Sequence, residues 1–165
     1  MRIGVISDTH MRALSEDFLG AVKVLFEGVE KVIHCGDYVA LGVLEGLRAE
    51  GWDVMGVAGN MDDEEIQRSL PMTRTVRLGG MTIGVMHGWG SAQGLEKRVA
   101  GAFDGVDGVV FGHSHKPHWG RWGDVWLFNP GTACGWGSPS GATVGILEIG
   151  ERVTGTVLPL KVRGL

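Results

Sequence analysis

The sequence predicts an α/β fold in which two β-sheets pack together with helices on their outer faces. Strand-like and helix-like segments alternate in the first half of the chain, whereas strand-like segments dominate the second half. Glycine is unusually frequent, with 29 copies in 165 residues, as expected where many tight turns join short elements. No linker or repeat interrupts this pattern, so we expect one domain over residues 1–165.

The first half predicts parallel strands that alternate with helices. Short apolar runs indicate strands at residues 2–7, 29–35 and 53–58. Helices are expected at residues 16–27, 39–50 and 62–70. Ser15 is in position to cap the first of these helices, and Gly28 is in position to end it. The third helix has acidic residues in its first turn, where the helix dipole favours them.

The second half predicts mainly antiparallel strands. Gly79-Gly80 is a strong signal for a tight turn between strands at residues 75–78 and 81–86. One further helix is expected at residues 91–103. The remaining strands are expected at residues 108–111, 125–128, 142–149 and 152–158. His118 follows a proline and is expected on a surface turn.

The composition excludes several classes of protein. The net charge is −4 and the basic residues are scattered, so a long nucleic acid, which requires a basic face, is not expected as a partner. Cys35 and Cys134 are too few for a disulfide scaffold or a cysteine-rich zinc site. The apolar run at the N-terminus ends at Asp8, well short of a signal peptide or a membrane span. We therefore expect a cytoplasmic protein without membrane attachment.

Polar side chains follow five successive predicted strands. They are Asp8 and His10, then Asp37, Asn60 and His87, and finally His113 and His115. In open α/β sheets, ligands bind at the carboxyl ends of the strands. Side chains two residues apart in an extended chain point the same way. Asp8 and His10 are therefore expected to reach the same bound group, and so are His113 and His115.

The types of these side chains indicate a metal site. Carboxylate oxygen mixed with imidazole suits Mn, Fe, Zn or a similar divalent ion. Seven ligands are too many for one tetrahedral site, but they suit two ions that share a carboxylate. Each short motif by itself is more typical of a turn or of a hydrogen-bonded histidine. Their ordered occurrence at five strand ends favours the metal site.

The order D-x-H, G-D, G-N, H-G and G-H-x-H resembles the signature of the calcineurin-like metallophosphoesterases. HCGD at residues 34–37 and GHSHKP at residues 112–117 are similar to segments of the small bacterial and archaeal phosphodiesterases of the YfcE/MJ0936 type. FNPGT at residues 128–132 resembles the NPGS segment of that family. The likeness covers nearly the whole chain.

This resemblance implies a four-layer αββα sandwich with two divalent metal ions at one edge of the sheets. Mn²⁺ is expected, with Fe, Zn or Ni as alternatives. The resemblance places the first ion among Asp8, His10, Asp37 and His115. It places the second ion among Asp37, Asn60, His87 and His113, so that Asp37 bridges the two. The implied activity is hydrolysis of a small phosphate diester by a metal-bridging hydroxide. Its catalytic residues, which hold the ions and position the phosphate, would be Asp37, Asn60 and His87.

One position departs from the family pattern. Many relatives have a histidine directly after Gly-Asn, and this histidine can protonate the leaving group, whereas this chain has Met61. The small bacterial and archaeal relatives often carry cysteine there. Because methionine cannot donate a proton, we expect a preference for esters with good leaving groups.

Three neighbouring residues have open roles. Asp62 is expected to cap the following helix, with orientation of a water or a histidine as the alternative. His34 is expected either to hydrogen-bond near Asp37 or to be a structural histidine. Trp89, which closely follows His87, is a candidate for the rim of the substrate entrance.

Two other functions fit the same pattern. The retromer subunit Vps29 has this fold, also lacks the histidine after Gly-Asn and serves as an interaction scaffold, although the complete ligand set favours catalysis here. A phosphomonoesterase or nucleotidase is the other alternative, because the shape of the pocket decides between these substrates. Small relatives are often homo-oligomers, so a homodimer or a higher homo-oligomer is expected, and exposed tryptophans are candidates for its interface.

Overall fold

The computed structural model describes residues 1–162, which form ten strands and four helices. The strands are β1 (Arg2–Ile6), β2 (Lys31–His34), β3 (Asp53–Gly56), β4 (Thr73–Leu78), β5 (Met81–Met86), β6 (Gly108–Val110), β7 (His118–Trp122), β8 (Val125–Asn129), β9 (Thr143–Ile149) and β10 (Val153–Pro159). The helices are α1 (Glu16–Leu25), α2 (Leu41–Ala49), α3 (Glu64–Ser69) and α4 (Leu95–Ala100). None of these helices combines the length and the hydropathy that crossing a membrane requires.

The strands form two five-stranded mixed sheets. The first has the order β10-β9-β1-β2-β3, in which β1, β2 and β3 are parallel and β9 is antiparallel to both of its neighbours. The second has the order β4-β5-β6-β8-β7, in which β5, β6 and β8 are parallel and both edge strands are antiparallel. The prediction of mainly antiparallel strands in the second half is confirmed for four of the six strand pairs that involve β4–β10, whereas β5, β6 and β8 form a parallel core that was not predicted.

Hydrophobic clusters on both faces of each sheet produce four layers. One cluster joins the first sheet to the helices before and after β2 and includes Ile6 and Phe18. A second cluster fills the space between the sheets and includes Val5 and Phe128. A third cluster joins the second sheet to α4 through Val99. Successive residues of β1 face opposite sides, as the pleat of a strand requires. The four-layer αββα sandwich is confirmed.

Three of the predicted turns and caps are confirmed. The hydroxyl of Ser15 accepts a hydrogen bond from the backbone N–H of Phe18 at 3.2 Å and so caps α1. Gly28 follows α1 with a φ angle of 74°, a conformation that glycine adopts without strain. Gly79-Gly80 joins β4 to β5 as expected, and both glycines have positive φ angles.

The helix predicted at residues 62–70 begins later. The carboxylate of Asp63 accepts a hydrogen bond from the backbone N–H of Ile66 at 3.0 Å, so Asp63 is the cap of α3. The prediction that Asp62 caps this helix is wrong. A cap residue accepts from its own helix, and Asp62 is instead directed toward the loops beside it.

The helix predicted at residues 91–103 is confined to α4. Gly94, directly before it, has a left-handed φ angle of 72°, which interrupts a helix. The guanidinium of Arg98 donates hydrogen bonds to the carbonyl groups of Trp89 and Gln93. These bonds stabilise an irregular loop where apolar periodicity predicts a helix.

The strand β7 is absent from the sequence prediction. His118 begins this strand and pairs with Asn129 of β8, so the surface turn expected there is wrong. Within the described part of the chain, β7 is an edge strand that pairs with β8, and its residues are half-buried or exposed, which leaves no apolar alternation in the sequence. Gly123, with a φ angle of 60° in the two-residue turn before β8, is the signal that indicates the hairpin.

Candidate metal centre

The seven predicted ligands meet at one edge of the sandwich. Strands β1, β2 and β3 of the first sheet and β5 and β6 of the second end there, and each is followed by at least one of these side chains. Rings from the two sheets meet across this edge. The Nε2 atom of His10, after β1, lies 3.2 Å from the Nε2 atom of His115, after β6. Both sheets therefore contribute to the site.

Two overlapping groups of ligand atoms are close enough together to hold ions. One group is Asp8, His10 and His115, and the other is Asp8, Asp37 and His87. Within each group, the ligand atoms lie within 4.8 Å of one another. Oδ1 of Asp8 lies 3.1 Å from Nε2 of His115 and 4.0 Å from Nε2 of His87. Asp8 is therefore common to both groups.

Asp37 also lies between the two sides of the site. Its Oδ2 atom is 3.7 Å from Nε2 of His10 and 3.2 Å from Nε2 of His87. Its Oδ1 atom accepts a hydrogen bond from the backbone N–H of Met61 at 2.8 Å. One oxygen of Asp37 is thus held by the backbone, and the other faces the histidines.

Asn60 and His113 form the margin of the site. Nε2 of His113 donates a hydrogen bond to the carbonyl of Gly90 at 2.7 Å, so its Nδ1 atom presents a lone pair. That lone pair faces the side-chain oxygen of Asn60 at 3.1 Å. The ring of His113 lies 5.1 Å from the ring of His87, beside the second group of ligand atoms. All seven predicted ligands are therefore brought together.

Backbone carbonyls fix the orientation of the histidine rings. Nδ1 of His87 donates a hydrogen bond to the carbonyl of Cys35 at 2.7 Å, and Nδ1 of His115 donates one to the carbonyl of Trp136 at 2.6 Å. In each ring, the other nitrogen is left as an acceptor directed at the site. Histidines that bind metal ions are oriented in this way.

Two buried atoms in the site have no hydrogen-bond partner within residues 1–162. They are Oδ1 of Asp8 and Nε2 of His87. A buried polar atom without a partner costs about 1–3 kcal/mol. Both atoms carry lone pairs and lie 4.0 Å apart, so a divalent cation near them would remove this cost. The residues of the site therefore fit a bound metal ion.

The loops that carry the ligands have an unusual backbone. Within residues 1–162, six non-glycine residues have a positive φ angle, and five of them are the predicted ligands Asp8, His10, Asp37, His113 and His115. This conformation costs a residue with a Cβ atom about 1–2 kcal/mol. The side chains of Asp8 and His10 do converge, but their loop is not extended. The predicted convergence of the two side chains is therefore correct, but the extended conformation from which it was predicted is wrong.

Two glycines allow these loops to pack closely. A Cβ atom at Gly59 would collide with the carboxylate and the backbone nitrogen of Asp37. A Cβ atom at Gly112 would collide with the side chains of Ser7 and Asp8. Glycine is required at both positions by close approach rather than by backbone conformation.

Asp62 joins the loops that follow β2 and β3. Its carboxylate accepts hydrogen bonds from the backbone N–H groups of Asp37 at 3.2 Å, Val39 at 2.8 Å and Gly59 at 2.6 Å. Burial raises the pKa of Asp62, and the hydrogen bonds from the backbone oppose this effect. Asp62 therefore holds the main chain on which two predicted ligands stand.

The carboxylates and histidines of the site shift one another's protonation. Contact with Asp8 raises the pKa of His115 above its usual value. Burial lowers the pKa of His87, but the adjacent carboxylates of Asp37 and Asp8 outweigh burial and the net shift is upward. Burial raises the pKa of Asp37, but His87 and the N–H of Met61 outweigh it and the net shift is downward. The site therefore attracts positive charge.

Comparison with known sequences assigns the family. Residues 1–152 match the calcineurin-like phosphoesterase superfamily domain. The chain belongs to this superfamily. Membership implies divalent metal ions, for which the two groups of ligand atoms are the candidate binding residues. The predicted family resemblance is confirmed.

Relatives of this calcineurin-like chain cover most of its length. It is 36% identical over 135 residues to the probable metallophosphoesterase MJ0623 of Methanocaldococcus jannaschii, with 80% of this chain and 68% of that protein covered. It is 29% identical over 162 residues to phosphodiesterase MJ0936 of the same organism, with 90% and 93% covered. The solved structure of Entamoeba histolytica Vps29 complexed with Zn²⁺ is 25% identical, has a TM-score of 0.71 and covers 96% of this chain and 98% of that one.

Some residues that support the calcineurin-like site are absent from the sequence prediction. The hydroxyl of Ser7 and the backbone N–H of His113 donate hydrogen bonds to Oδ2 of Asp8, the latter at 3.2 Å. The hydroxyl of Thr132 donates to the carbonyl of Asp8 at 2.9 Å. These bonds leave Oδ1 of Asp8 for the site. The FNPGT segment is the only signal for Thr132, and it assigns no role to the residue.

His34 is a buried structural histidine. Its Nδ1 atom accepts a hydrogen bond from the N–H of Gly36 at 3.2 Å, and its Nε2 atom lies 3.3 Å from the hydroxyl of Thr9. Burial lowers the pKa of His34, which favours the neutral ring. The Thr9 hydroxyl in turn donates to the carbonyl of Asp37, so His34 acts on the main chain of that loop.

Proposed function

We propose that this protein hydrolyses small phosphate diesters with two divalent metal ions, expected to be Mn²⁺. The observation that carries the proposal is the pair of adjacent ligand groups, which contain unpartnered buried atoms on Asp8 and His87. Carboxylate and imidazole together suit Mn²⁺, with Fe, Zn or Ni as alternatives. Similarity to phosphodiesterase MJ0936 over nearly the whole chain supports a diester as the substrate.

We assign the seven ligands to two sets. Asp8, His10, Asp37 and His115 would hold the first ion, and Asp37, Asn60, His87 and His113 would hold the second. Asp37 is the shared ligand because its Oδ2 atom is near both His10 and His87. Asp8 belongs to the first set because its Oδ1 atom lies closer to His115, at 3.1 Å, than to His87, at 4.0 Å.

The protein's own residues would hold and orient the reacting groups. When bound, the divalent ions would lower the pKa of the attacking water and neutralise charge on the phosphoryl oxygens. Asp37, Asn60 and His87 fix the positions from which the phosphate is held. The exposed side chain of Met61 lines the open side of this centre and has no proton to donate. The leaving oxygen must therefore depart without an acid at this position, which favours esters of acidic alcohols and phenols.

A metal reconstitution assay tests this function. The protein is stripped with a chelator and reloaded with Mn²⁺, and bis(p-nitrophenyl) phosphate and p-nitrophenyl phosphate are assayed side by side. Elemental analysis gives the number of ions per chain. We expect two ions and faster release from the diester. Faster release from the monoester would make the protein a phosphomonoesterase or nucleotidase.

An interaction scaffold is the second candidate, because the fold is shared with Vps29 and the position of the family histidine holds Met61. Vps29 of Entamoeba histolytica is itself described as complexed with Zn²⁺. Metal binding therefore does not separate the two functions, and turnover is the deciding measurement. Metal bound without cleavage of either ester would contradict the diesterase and favour the scaffold, and affinity capture of partners would follow.

We also propose a homodimer or a higher homo-oligomer, as the sequence predicts. Size-exclusion chromatography with light scattering on the metal-loaded protein gives the mass of the particle, and a monomeric mass would contradict the homo-oligomer. The cytoplasmic location stays a prediction.

A further inference from the structure

We propose that two apolar platforms, one on each side of the metal centre, each bind one substituent of the diester. The first, called the Trp136 platform, consists of Met61 and Trp136. The second, called the Trp89 platform, consists of Met72 and Trp89. The preferred substrate would then carry an aromatic or apolar group on both of its ester oxygens. This inference rests on the proposed diesterase function and adds the class of substituent to it.

The Trp136 platform borders the first group of ligand atoms. The indole of Trp136 is 70% exposed, and its ring lies 5.9 Å from that of His10 and 5.8 Å from that of His115. Both contacts are edge-on. With Met61, Trp136 lines a cavity of about 360 Å³ that also contains Asn60. The cavity therefore opens directly on the atoms proposed to hold the phosphate.

The Trp89 platform borders the second group of ligand atoms. Trp89 is 49% exposed and lies two residues after His87. Together with Met72, it lines a cavity of about 300 Å³ whose wall includes His87. The lining of this cavity is mainly apolar. A substituent that enters it would pass beside the second proposed ion site.

Both platforms are held in place by hydrogen bonds that the main-chain carbonyl groups of their tryptophans accept. The carbonyl of Trp136 accepts a hydrogen bond from the Nδ1–H group of His115. The contact that orients this proposed ligand therefore also fixes the backbone that carries the indole. The carbonyl of Trp89 accepts two hydrogen bonds from the guanidinium of Arg98, at 3.2 and 3.0 Å. Exposed aromatic groups on fixed backbone lose little freedom on binding, which favours a recognition role.

The concentration of exposed apolar side chains at this edge is the reason to assign them a ligand. Half of the eight large hydrophobic side chains that are exposed within residues 1–162 belong to the two platforms. Exposure of this kind is unfavourable in water, and where it is contiguous it marks a binding groove.

The placement of the platforms favours a diester over a monoester. His87 lines one cavity and His113 lines the other, and the rings of these two histidines lie 5.1 Å apart. In this proposal, a phosphate bound at the metal centre directs one ester oxygen toward each cavity. A diester can fill both cavities, whereas a monoester has a substituent for one of them.

Two esters with the same leaving group separate the contributions of the platforms. Bis(p-nitrophenyl) phosphate has an aryl group for each platform, and methyl p-nitrophenyl phosphate has one aryl group only. The variants are Trp136→Ala and Trp89→Ala, with Trp136→Phe and Trp89→Phe as conservative replacements. Trp122→Ala is the matched control, because Trp122 is 50% exposed and lies at the end of β7 that pairs with the start of β8, away from the metal edge.

We expect each alanine variant to lower kcat/KM for the bis-aryl ester about tenfold, as loss of one aromatic stacking contact predicts. For the methyl ester, only one of the two alanine variants should have this effect. The phenylalanine variants should restore most of the lost activity, and Trp122→Ala should match the wild type. Elemental analysis of every variant confirms that the metal content is unchanged.

The outcomes distinguish this inference from the function on which it rests. If the wild type cleaves the diester but both alanine variants match Trp122→Ala, the platforms do not bind the substituents and the inference is overturned. If both variants reduce cleavage of the two esters equally, the effect is not on the second substituent and the inference is also overturned. If the wild type cleaves neither ester, the proposed diesterase function itself fails.

Discussion

The backbone N–H of Asp37 donates a hydrogen bond to the carboxylate of Asp62 at 3.2 Å, so a proposed metal ligand is held through its main chain. The same carboxylate accepts the N–H of Gly59, the residue before Asn60, at 2.6 Å. Two ligand loops thus share one buried acceptor. Their relative position, and with it the geometry of the proposed second ion site, depends on Asp62.

Replacement of Asp62 by asparagine should therefore weaken both folding and metal binding. The amide nitrogen of asparagine cannot accept a hydrogen bond, so at least one buried N–H loses its partner. We expect the free energy of unfolding to fall by about 1–3 kcal/mol. We also expect Mn²⁺ affinity, measured by calorimetric titration, to fall.

The matched control for this variant is Asp63→Ala. It removes the cap of α3, which costs about 1 kcal/mol of stability. Within residues 1–162, the side chain of Asp63 makes this cap bond to Ile66 and no hydrogen bond to the ligand loops, so Mn²⁺ affinity should stay at the wild-type value. Equal loss of affinity in both variants would show that the effect of Asp62→Asn is general destabilisation.

Metal binding should strengthen as the pH rises through the titration of His87 and His115. The pKa of both histidines is raised above the usual value of 6.5 in the metal-free protein. Their protonation stabilises that form below about pH 6.5, and this contribution is lost as the pH rises through the folded-state pKa values. Metal ions bind the unprotonated rings. The increase in Tm caused by Mn²⁺ should therefore be larger at about pH 8 than at about pH 6.

Proton release provides an independent check of this pH dependence. Calorimetric titration at one pH in buffers with different ionisation enthalpies measures the protons released when Mn²⁺ binds. Release should be greatest at low pH and decline as the two histidines lose their protons in the metal-free protein. An increase in Tm that is the same at both pH values, without proton release, contradicts the assignment of these histidines as ligands.

Asp37→Ala should abolish diester hydrolysis and release both ions, because the shared carboxylate contributes to each proposed set. The readouts are turnover of bis(p-nitrophenyl) phosphate and the metal content per chain. Asp53→Ala is a suitable control, since Asp53 is an exposed carboxylate that pairs with Lys31 at the surface, and exposed pairs contribute little. Wild-type turnover with two ions bound in Asp37→Ala would rule out the bridging role.

Sequence order was sufficient to indicate which side chains meet. Each ligand motif directly follows a strand, and parallel strands place their carboxyl ends at one edge of a sheet. The positions of β1, β2, β3, β5 and β6 could be inferred from short apolar runs, so the list of candidate ligands followed. The packing of one sheet on the other then brought the histidines after β5 and β6 to the carboxylates after β1 and β2.

The conformation of the ligand loops could not be inferred in this way, because contacts distant in sequence impose it. The N–H of Asp8 donates to the carbonyl of Gly36, and the N–H of His10 donates to the carbonyl of Asp37, both at 3.1 Å. These bonds join the loop after β1 to the loop after β2. They hold Asp8 and His10 at positive φ angles that neither residue would prefer alone.

Of the two tryptophans beside the metal centre, the sequence suggests one and not the other. Trp89 could be suspected because it closely follows a predicted ligand, whereas Trp136 lies in a glycine-rich loop far from any ligand in sequence. Its place beside His10 and His115 depends on the return of the chain from β8 to the site before β9. Local patterns do not contain that information.

Met61→His should change the preference between alkyl and aryl esters. The backbone N–H of Met61 donates to Asp37 at 2.8 Å, while its side chain is 56% exposed in the cavity beside Asn60. A histidine there can donate a proton to a departing alkoxide, and general acid catalysis of this kind contributes about 10²–10⁴-fold where the leaving group is poor. A nitrophenolate needs little such help. The ratio of alkyl to aryl ester hydrolysis should therefore rise at least about tenfold, with a new ionisation in the pH profile of kcat.

The matched control is Met61→Leu, which preserves the apolar surface without a proton to donate and should leave the ratio of alkyl to aryl ester hydrolysis at the wild-type value. If Met61→His and Met61→Leu give the same ratio, this position does not supply the acid, and protonation of the leaving group must come from solvent or from another residue of the site.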